Sequence, residues 1–478
     1  MARNILYRGS VVITPSLGNL EIQNNWLIGV DNQGLISHSD IATSTISQEL
    51  IHSVSSSKGS YSDLVNLPPG SFLLPTFCDL HLHAPQFLYR GTGLDLPLLE
   101  WLKKHAFSAE SKLDADPALA KRVYETLARR LGECGTGTVL LFGTIGIETN
   151  LILAEAMQSA GIRAFIGKVS MDTFSPSNYT ENSAPEALDN AREFLGQFEC
   201  RFSSLCPSER RVEPVITPRF VPTCTDELLD GLGQLAQNGS GDGKILRVQS
   251  HMAESHDVME YVPQTRGGLS DLEIFDQRRL LTPQTVQAHC TYVQPQTQFS
   301  LLHERGTAIA HCPLSNAYFS SAQPFPLRQC LDANVKVGLG TDIAGGYSLD
   351  ITNSMRSAVM VSRMWEAMRA AKEDGGTTSK NPRPINWKEA LYLATKGGYE
   401  ALGLPNFGTF IVGTPFDAQQ IQLFDKALGS GTGPLDFFGD ELDQEINEEM
   451  VEKWWSVGDQ RNRLAVWVQG TTLYRGPA

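Results

Sequence analysis

The sequence predicts an α/β chain: a (β/α)₈ TIM-like barrel over residues 71–407, carrying a small β-sandwich domain built from both chain ends, 1–70 and 408–478. Three observations predict it. Eight short β-rich runs alternate with helical stretches between about Phe72 and Leu404, the pattern of parallel strands joined by crossover helices. Histidines and an aspartate close several of these runs, at the rim where barrel enzymes gather their chemistry. Outside them, the ends read as alternating strands such as SVVITP (10–15) and LAVWVQGTTLY (464–474), broken by glycine and proline turns.

In chain order the runs are SFLLPTFCDLHLH (71–83), TVLLFGTI (138–145), RAFIGKVSM (163–171), VEPVITPRF (212–220), KILRVQSH (244–251), TVQAHC (285–290), TAIAHCP (307–313) and VKVGLGTD (335–342). The clearest intervening helix opens at Asp116-Pro117, an N-cap followed by proline at the first helical position, and ends near Gly132–Gly135. The connection from Pro85 to Ser111 is long for a strand-to-helix loop and predicts a cover over a pocket. The Ser/Thr-rich stretch 37–62 and the glycine-rich stretch 429–433 read as solvated insertions, and Asp440 to Glu452 as an acidic segment; none is assigned chemistry.

The chain has 478 residues, a net charge of 39 − 53 = −14 and 41% hydrophobic residues, enough to bury a sizeable core. An acidic balance argues against a nucleic-acid partner. No run of eighteen apolar residues occurs, and MARNILYRGS lacks the apolar core of a signal peptide, so no membrane association and a cytoplasmic location are expected. The eight cysteines form no C-x-x-C pair, which argues against a disulfide framework and a thiolate zinc site and for buried free thiols.

His81 and His83 stand at i and i+2, so both imidazoles project from one face of an extended strand. His251, His289 and Asp342 close the fifth, sixth and eighth runs, and a barrel would bring all five to one rim. Neutral imidazoles with a carboxylate and no thiolate suit zinc, with iron or manganese also compatible, and leave a coordination position for water. Glu254, three residues after His251, is placed either to shuttle protons beside such a water or simply to open a surface helix; spacing leaves both readings open. The fourth run ends in Arg219 where a carbamylated lysine would bridge two metals, which favours one ion. The H-x-E with P-C-x-x-C signature of deaminases acting on flipped bases is absent, and so are dinucleotide, P-loop and nucleophile-elbow motifs.

The blocks LLPTFCDLHLHAPQF (73–87), LPLLEWL (96–102), TPRF (217–220), SHMAE (250–254), HERGTAIAHCPLSN (303–316) and VKVGLGTDIAGGYS (335–348) carry a resemblance that spans most of residues 70–405. In their order and spacing the chain resembles the metal-dependent amidohydrolase superfamily and, within it, the guanine deaminase family. H-x-H and the late aspartate belong to the whole superfamily, whereas HAPQF, LPLLEWL, TPRF and GTDIAGG together are specific to the narrower family. The resemblance implies one zinc per chain held by His81, His83, His251 and Asp342, with His289 contacting water or substrate. It implies that Gln86, Arg219 and Phe220 shape a guanine pocket, that Asp342 acts as base and that Glu254 carries protons. Trp101 is either a roof over the ring or a core anchor of its loop. The implied activity is hydrolytic deamination of free guanine to xanthine and ammonia, in a homodimer. A related aminohydrolase acting on a pterin, an adenine-type ring or a triazine is the alternative, and an inactive binding relative a more remote one. The chain departs from the family pattern mainly at 37–62, 262–282 and 425–452, and its YRGPA end offers no PDZ ligand.

Overall fold

The computed structural model describes residues 4–56, 60–239, 245–294, 297–320, 323–373 and 382–476. Each of the eight runs contains a strand: β1 (Phe77–His83), β2 (Thr136–Phe142), β3 (Arg163–Ser170), β4 (Val212–Pro218), β5 (Val248–Met252), β6 (Thr285–His289), β7 (Ala308–His311) and β8 (Val337–Leu339). They form one parallel sheet in sequence order. The stretch after β8 closes it onto β1, with Asp342 N–H donating to the His81 carbonyl (2.8 Å) and His83 N–H to the Ile343 carbonyl (2.9 Å). Gly340 makes that approach possible, because a Cβ there would lie 2.8 Å from the His81 Cβ.

Strands β1, β2 and β3 are buried along their whole length, as expected when one face fills the barrel and the other meets helices. Leu80, Leu140, Phe165, Val215, Val286 and Ala310 belong to one buried cluster fed by successive strands. The helix expected after Asp116 runs Pro117–Glu133, with the Asp116 side chain accepting from Leu119 N–H and with Val123, Tyr124, Leu127 and Leu131 buried along one stripe.

The strands from the two ends lie in a single second sheet, in the order 471–475, 463–468, 418–422, 71–75, 5–16, 19–30 and 36–41, with 63–66 beside 5–16. The first run is therefore two strands. Ser71–Pro75 pairs antiparallel with Ala418–Gln422, and the barrel begins only at Phe77. Pro75 has no N–H to continue a ladder, and Thr76 turns away, donating its N–H to the Asp417 carbonyl and pairing its hydroxyl with that of Tyr399.

Both stretches expected to be solvated, 37–62 and 429–433, contain regular structure among the described residues. Residues 37–62 supply most of the strand Ile36–Ile41 and the helix Thr45–Ser55, capped by Ser44, whose Leu50, Ile51 and Val54 pack against Leu6, Leu27, Ala42 and Tyr61. The acidic segment starts the helix Glu448–Val457, where Glu448 and Glu449 in the first turn suit the helix dipole and Met450, Val451, Trp454 and Trp455 are buried. Ser430–Gly431 forms a short antiparallel pair with Phe424–Asp425. Six of the eight cysteines are buried and all are free. Among the described residues, no helix is long and apolar enough to cross a membrane.

A buried ion pair ties the two sheets together. Arg163 on β3 pairs with Asp417 and lies 4.5 Å over the Phe407 ring, while Asp417 also accepts from Gln469 N–H at 2.7 Å. Asp417→Ala would strand the Arg163 charge in the interior, so it should lower the unfolding free energy by about 3 kcal/mol in urea denaturation.

Candidate active site

The barrel rim collects the residues that the sequence placed at run ends. His81 and His83 leave β1 on the same side, their rings 5.0 Å apart and nearly perpendicular. His251 from β5 brings its Nε2 to 3.0 Å from His83 Nε2, and Asp342 Oδ1 lies 3.2 Å from His81 Nε2 and 3.6 Å from His83 Nε2. The donor atoms of His81, His83 and His251 lie within 4.8 Å of one another, as do those of His81, His289 and Asp342.

These nitrogens are set up as lone pairs. His251 Nδ1 sits 2.6 Å from the Arg219 carbonyl, which can only accept, so Nδ1 carries the proton and Nε2 faces the cluster bare. Burial, reinforced by the neighbouring imidazoles, holds His81, His83 and His251 well below the usual histidine range, in the neutral form that binds metals. His81 Nε2 and His289 Nε2 are buried without a hydrogen-bond partner. Lone pairs converging in a dry pocket are unfavourable alone and satisfied by a divalent cation, so the donor set fits a metal. The protonated Nδ1 of His251 on a backbone carbonyl is also the usual orienting bond of a ligating histidine.

The frame holding them is rigid. Asp79, two residues before His81, accepts from His81 N–H (3.2 Å), from Thr341 N–H (3.0 Å) and from the Thr341 hydroxyl (2.5 Å). It thereby pins β1 to the stretch bearing Asp342, and burial lifts its carboxyl to about 7 against the pull of these bonds. His289 and Asp342 adopt left-handed backbone, at φ 69° and 48°, a strain that the surrounding packing must support.

His289 donates from Nδ1 to Asn316 Oδ1 at 2.9 Å, which turns its bare Nε2 toward Glu254 (3.5 Å) and Asp342 (3.9 Å). Glu254 is 8% exposed, and burial, with the Asp342 charge adding to it, pushes its carboxyl well above the usual range. Its side chain faces the cavity rather than opening a surface helix.

A cavity opens beside the cluster. Eight of the ten site residues expected from the sequence line it: His83, Gln86, Trp101, Arg219, Phe220, His251, Glu254 and Asp342. His81 and His289 stand just behind them. The long connection forms the roof, through a helix Leu98–Trp101 that widens into a π-turn at Leu102–Ala106 and continues as Phe107–Ala115. Trp101 lines the cavity and packs on Phe319 (5.2 Å) and Tyr89 (5.7 Å).

Several residues of the site escaped the sequence reading. Asp79 had a signal, since D-x-H-x-H sets it on the same strand face as both histidines. Asn316 and Ser315 lie within the matched block HCPLSN but carry no spacing that distinguishes them. Glu110 is fully buried against Arg219 and Gln86, yet FSAESK reads as an ordinary exposed helix.

Residues 72–473 match the model of the Amidohydrolase family, and the chain belongs to that family. Within it, the chain is 35% identical over 473 residues to the guanine deaminase of Dictyostelium discoideum, covering 98% of each protein. It is 35% identical to the guanine deaminase of Rattus norvegicus, covering 98% of this chain and 96% of that one. Its fold is similar to that of the guanine deaminase from C. acetobutylicum with guanine bound in the active site, at a TM-score of 0.82 and 26% identity, covering 98% and 100% of the two chains.

Asp79 braces the strand that carries His81 and the stretch that carries Asp342. Asp79→Ala should weaken metal binding by about 10- to 100-fold in competition with a chelator, with the fold retained by circular dichroism.

Proposed function

We propose that this chain hydrolyses free guanine to xanthine and ammonia, using one zinc ion held by His81, His83, His251 and Asp342. The observation that carries this reading is a single cavity bordered by the histidine cluster, the buried Glu254 and a buried pair of hydrogen-bond donors, Arg219 and Gln86. Guanine deaminases from a protist and a mammal, each 35% identical over nearly the full chain, support the same substrate. A homodimer, which the family resemblance implies, and a cytoplasmic location, which the sequence's lack of long apolar runs favours, accompany the reading.

When bound, zinc acts as a Lewis acid that brings the pKa of water toward neutrality. The protein's own residues then divide the proton work. His289 Nε2, bare and facing both carboxylates, accepts a hydrogen bond from the attacking water and orients it. Asp342 takes one proton as the water oxygen bonds to C2, while Glu254 gives its proton to the ring nitrogen beside that carbon. Glu254 next relays the proton from Asp342 to the amine, the C2–N bond breaks, and ammonia leaves. The remaining hydroxyl proton restores Glu254, and C2 becomes a carbonyl. Protons, water and amine balance over the cycle, so neither carboxylate ends changed.

Arg219 and Gln86 bind the purine's carbonyl edge, and Phe220 and Trp101 offer apolar ring faces above and beside it. Adenine would turn an amino group toward the same donors and leave them unpaired.

Two variants separate these roles. Glu254→Gln should keep its metal by elemental analysis yet lose about 10²- to 10⁴-fold in kcat, followed by the ultraviolet change from guanine to xanthine. Wild-type turnover in that variant would overturn the assignment. Arg219→Ala should retain metal while kcat/KM for guanine falls by about 100-fold or more, because a buried recognition contact is gone.

A further inference from the structure

Neither the carbonyl preference nor the direction of the donors is explained by Arg219 and Gln86 alone. A glutamine amide can present its oxygen or its nitrogen to a ligand with almost equal ease. In this pocket the choice is made from behind. Glu110 is 0% exposed and lies outside the cavity lining, and its carboxylate accepts from Arg219 Nη1 (2.7 Å), Arg219 Nη2 (3.0 Å) and Gln86 Nε2 (2.8 Å).

We propose that Glu110, without touching the substrate, sets the selectivity of the pocket for a carbonyl rather than an amino group at carbon 6 of the purine, acting through Arg219 and Gln86. The proposal rests on the guanine reading given above. An ionised carboxylate can only accept, so the Gln86 nitrogen must face Glu110, and the Gln86 oxygen is taken by Ala344 N–H at 3.1 Å. Flipping the amide would leave two buried groups unpaired. The Arg219 fork has two of its nitrogens committed to the same carboxylate, and its guanidinium carbon lies 4.9 Å from the Phe107 ring centroid. Phe107 and Glu110 stand three apart on one helix, so a single helix face holds the arginine by ring and charge.

Both side chains keep N–H to give, and the Gln86 oxygen is already held by Ala344 N–H. A 6-carbonyl accepts from that edge, whereas a 6-amino group meets hydrogen with hydrogen. Glu110 also cancels the Arg219 charge, so the edge donates to a neutral purine without recruiting an anion.

Glu110 is thus a positioning residue, and selectivity is its readout. The experiment measures metal content, kcat and KM for guanine, and the inhibition constant of 2,6-diaminopurine, which keeps the 2-amino group and carries an amino group at carbon 6. Wild type, Glu110→Gln and Glu110→Asp are compared. Glu110→Gln should keep its metal and hold kcat within about tenfold, while KM for guanine rises and the preference for guanine over the diamine shrinks by about 100-fold. Glu110→Asp keeps the charge but falls one methylene short of spanning both partners, so its preference should shrink by about tenfold, between the other two. If Glu110→Gln does not fold, Glu110→Asp decides alone. A wild-type preference in Glu110→Asp, or in either variant an equal weakening toward both ligands, would overturn the proposal. A wild-type enzyme that leaves guanine unchanged would overturn the guanine reading itself, a result distinguishable from any variant effect.

Discussion

The site depends on a seam. Two backbone hydrogen bonds, from Asp342 to His81 and from His83 to Ile343, join the first strand of the barrel to the stretch after the last, and they fall on the residues whose side chains converge. Asp79 reinforces the join by binding Thr341, 262 residues away in the chain, together with the backbone of His81. The side chain of Gly340 is absent where the two segments cross, and Asp342 is held in left-handed backbone. Ligand geometry is therefore fixed by barrel closure rather than by the ligands' own rotamers, as precise metal coordination and proton transfer both require.

Within that frame, burial sorts the ionisable groups into complementary states. Burial pushes the histidines down toward the neutral form and the Glu254 carboxyl up, because a dry pocket disfavours the charged form of each. Arg219 keeps its charge because Glu110 is packed against it. The result is a cavity with lone pairs at one end, a proton carrier at its side and hydrogen donors at the other end. That polarity matches a substrate whose amine departs near the lone pairs and whose carbonyl is bound by the donors.

Most of this was legible in the sequence, for a physical reason. In a barrel, the end of a strand is also the place of chemistry, so finding where β-rich runs stop located His81, His83, His251, His289 and Asp342 together. The break inside 71–83 was hidden because apolar, β-prone residues continue through Pro75-Thr76 while the pairing partner changes. The helix at Thr45–Ser55 was masked by serine and threonine, although Leu50, Ile51 and Val54 carried its buried side. Glu110 was invisible because its meaning lies in Arg219, 109 positions on, and a glutamate in a polar helix gives no local sign of burial.

The roof of the cavity and the holder of its arginine belong to one rod. Leu98–Trp101 covers the ring site, Phe107–Ala115 carries Phe107 and Glu110, and the widened turn Leu102–Ala106 lies between them. Such single widened turns inside α-helices are frequent at functional sites. Cover and recognition are therefore borne by separate halves of one continuous element, joined through that widened turn.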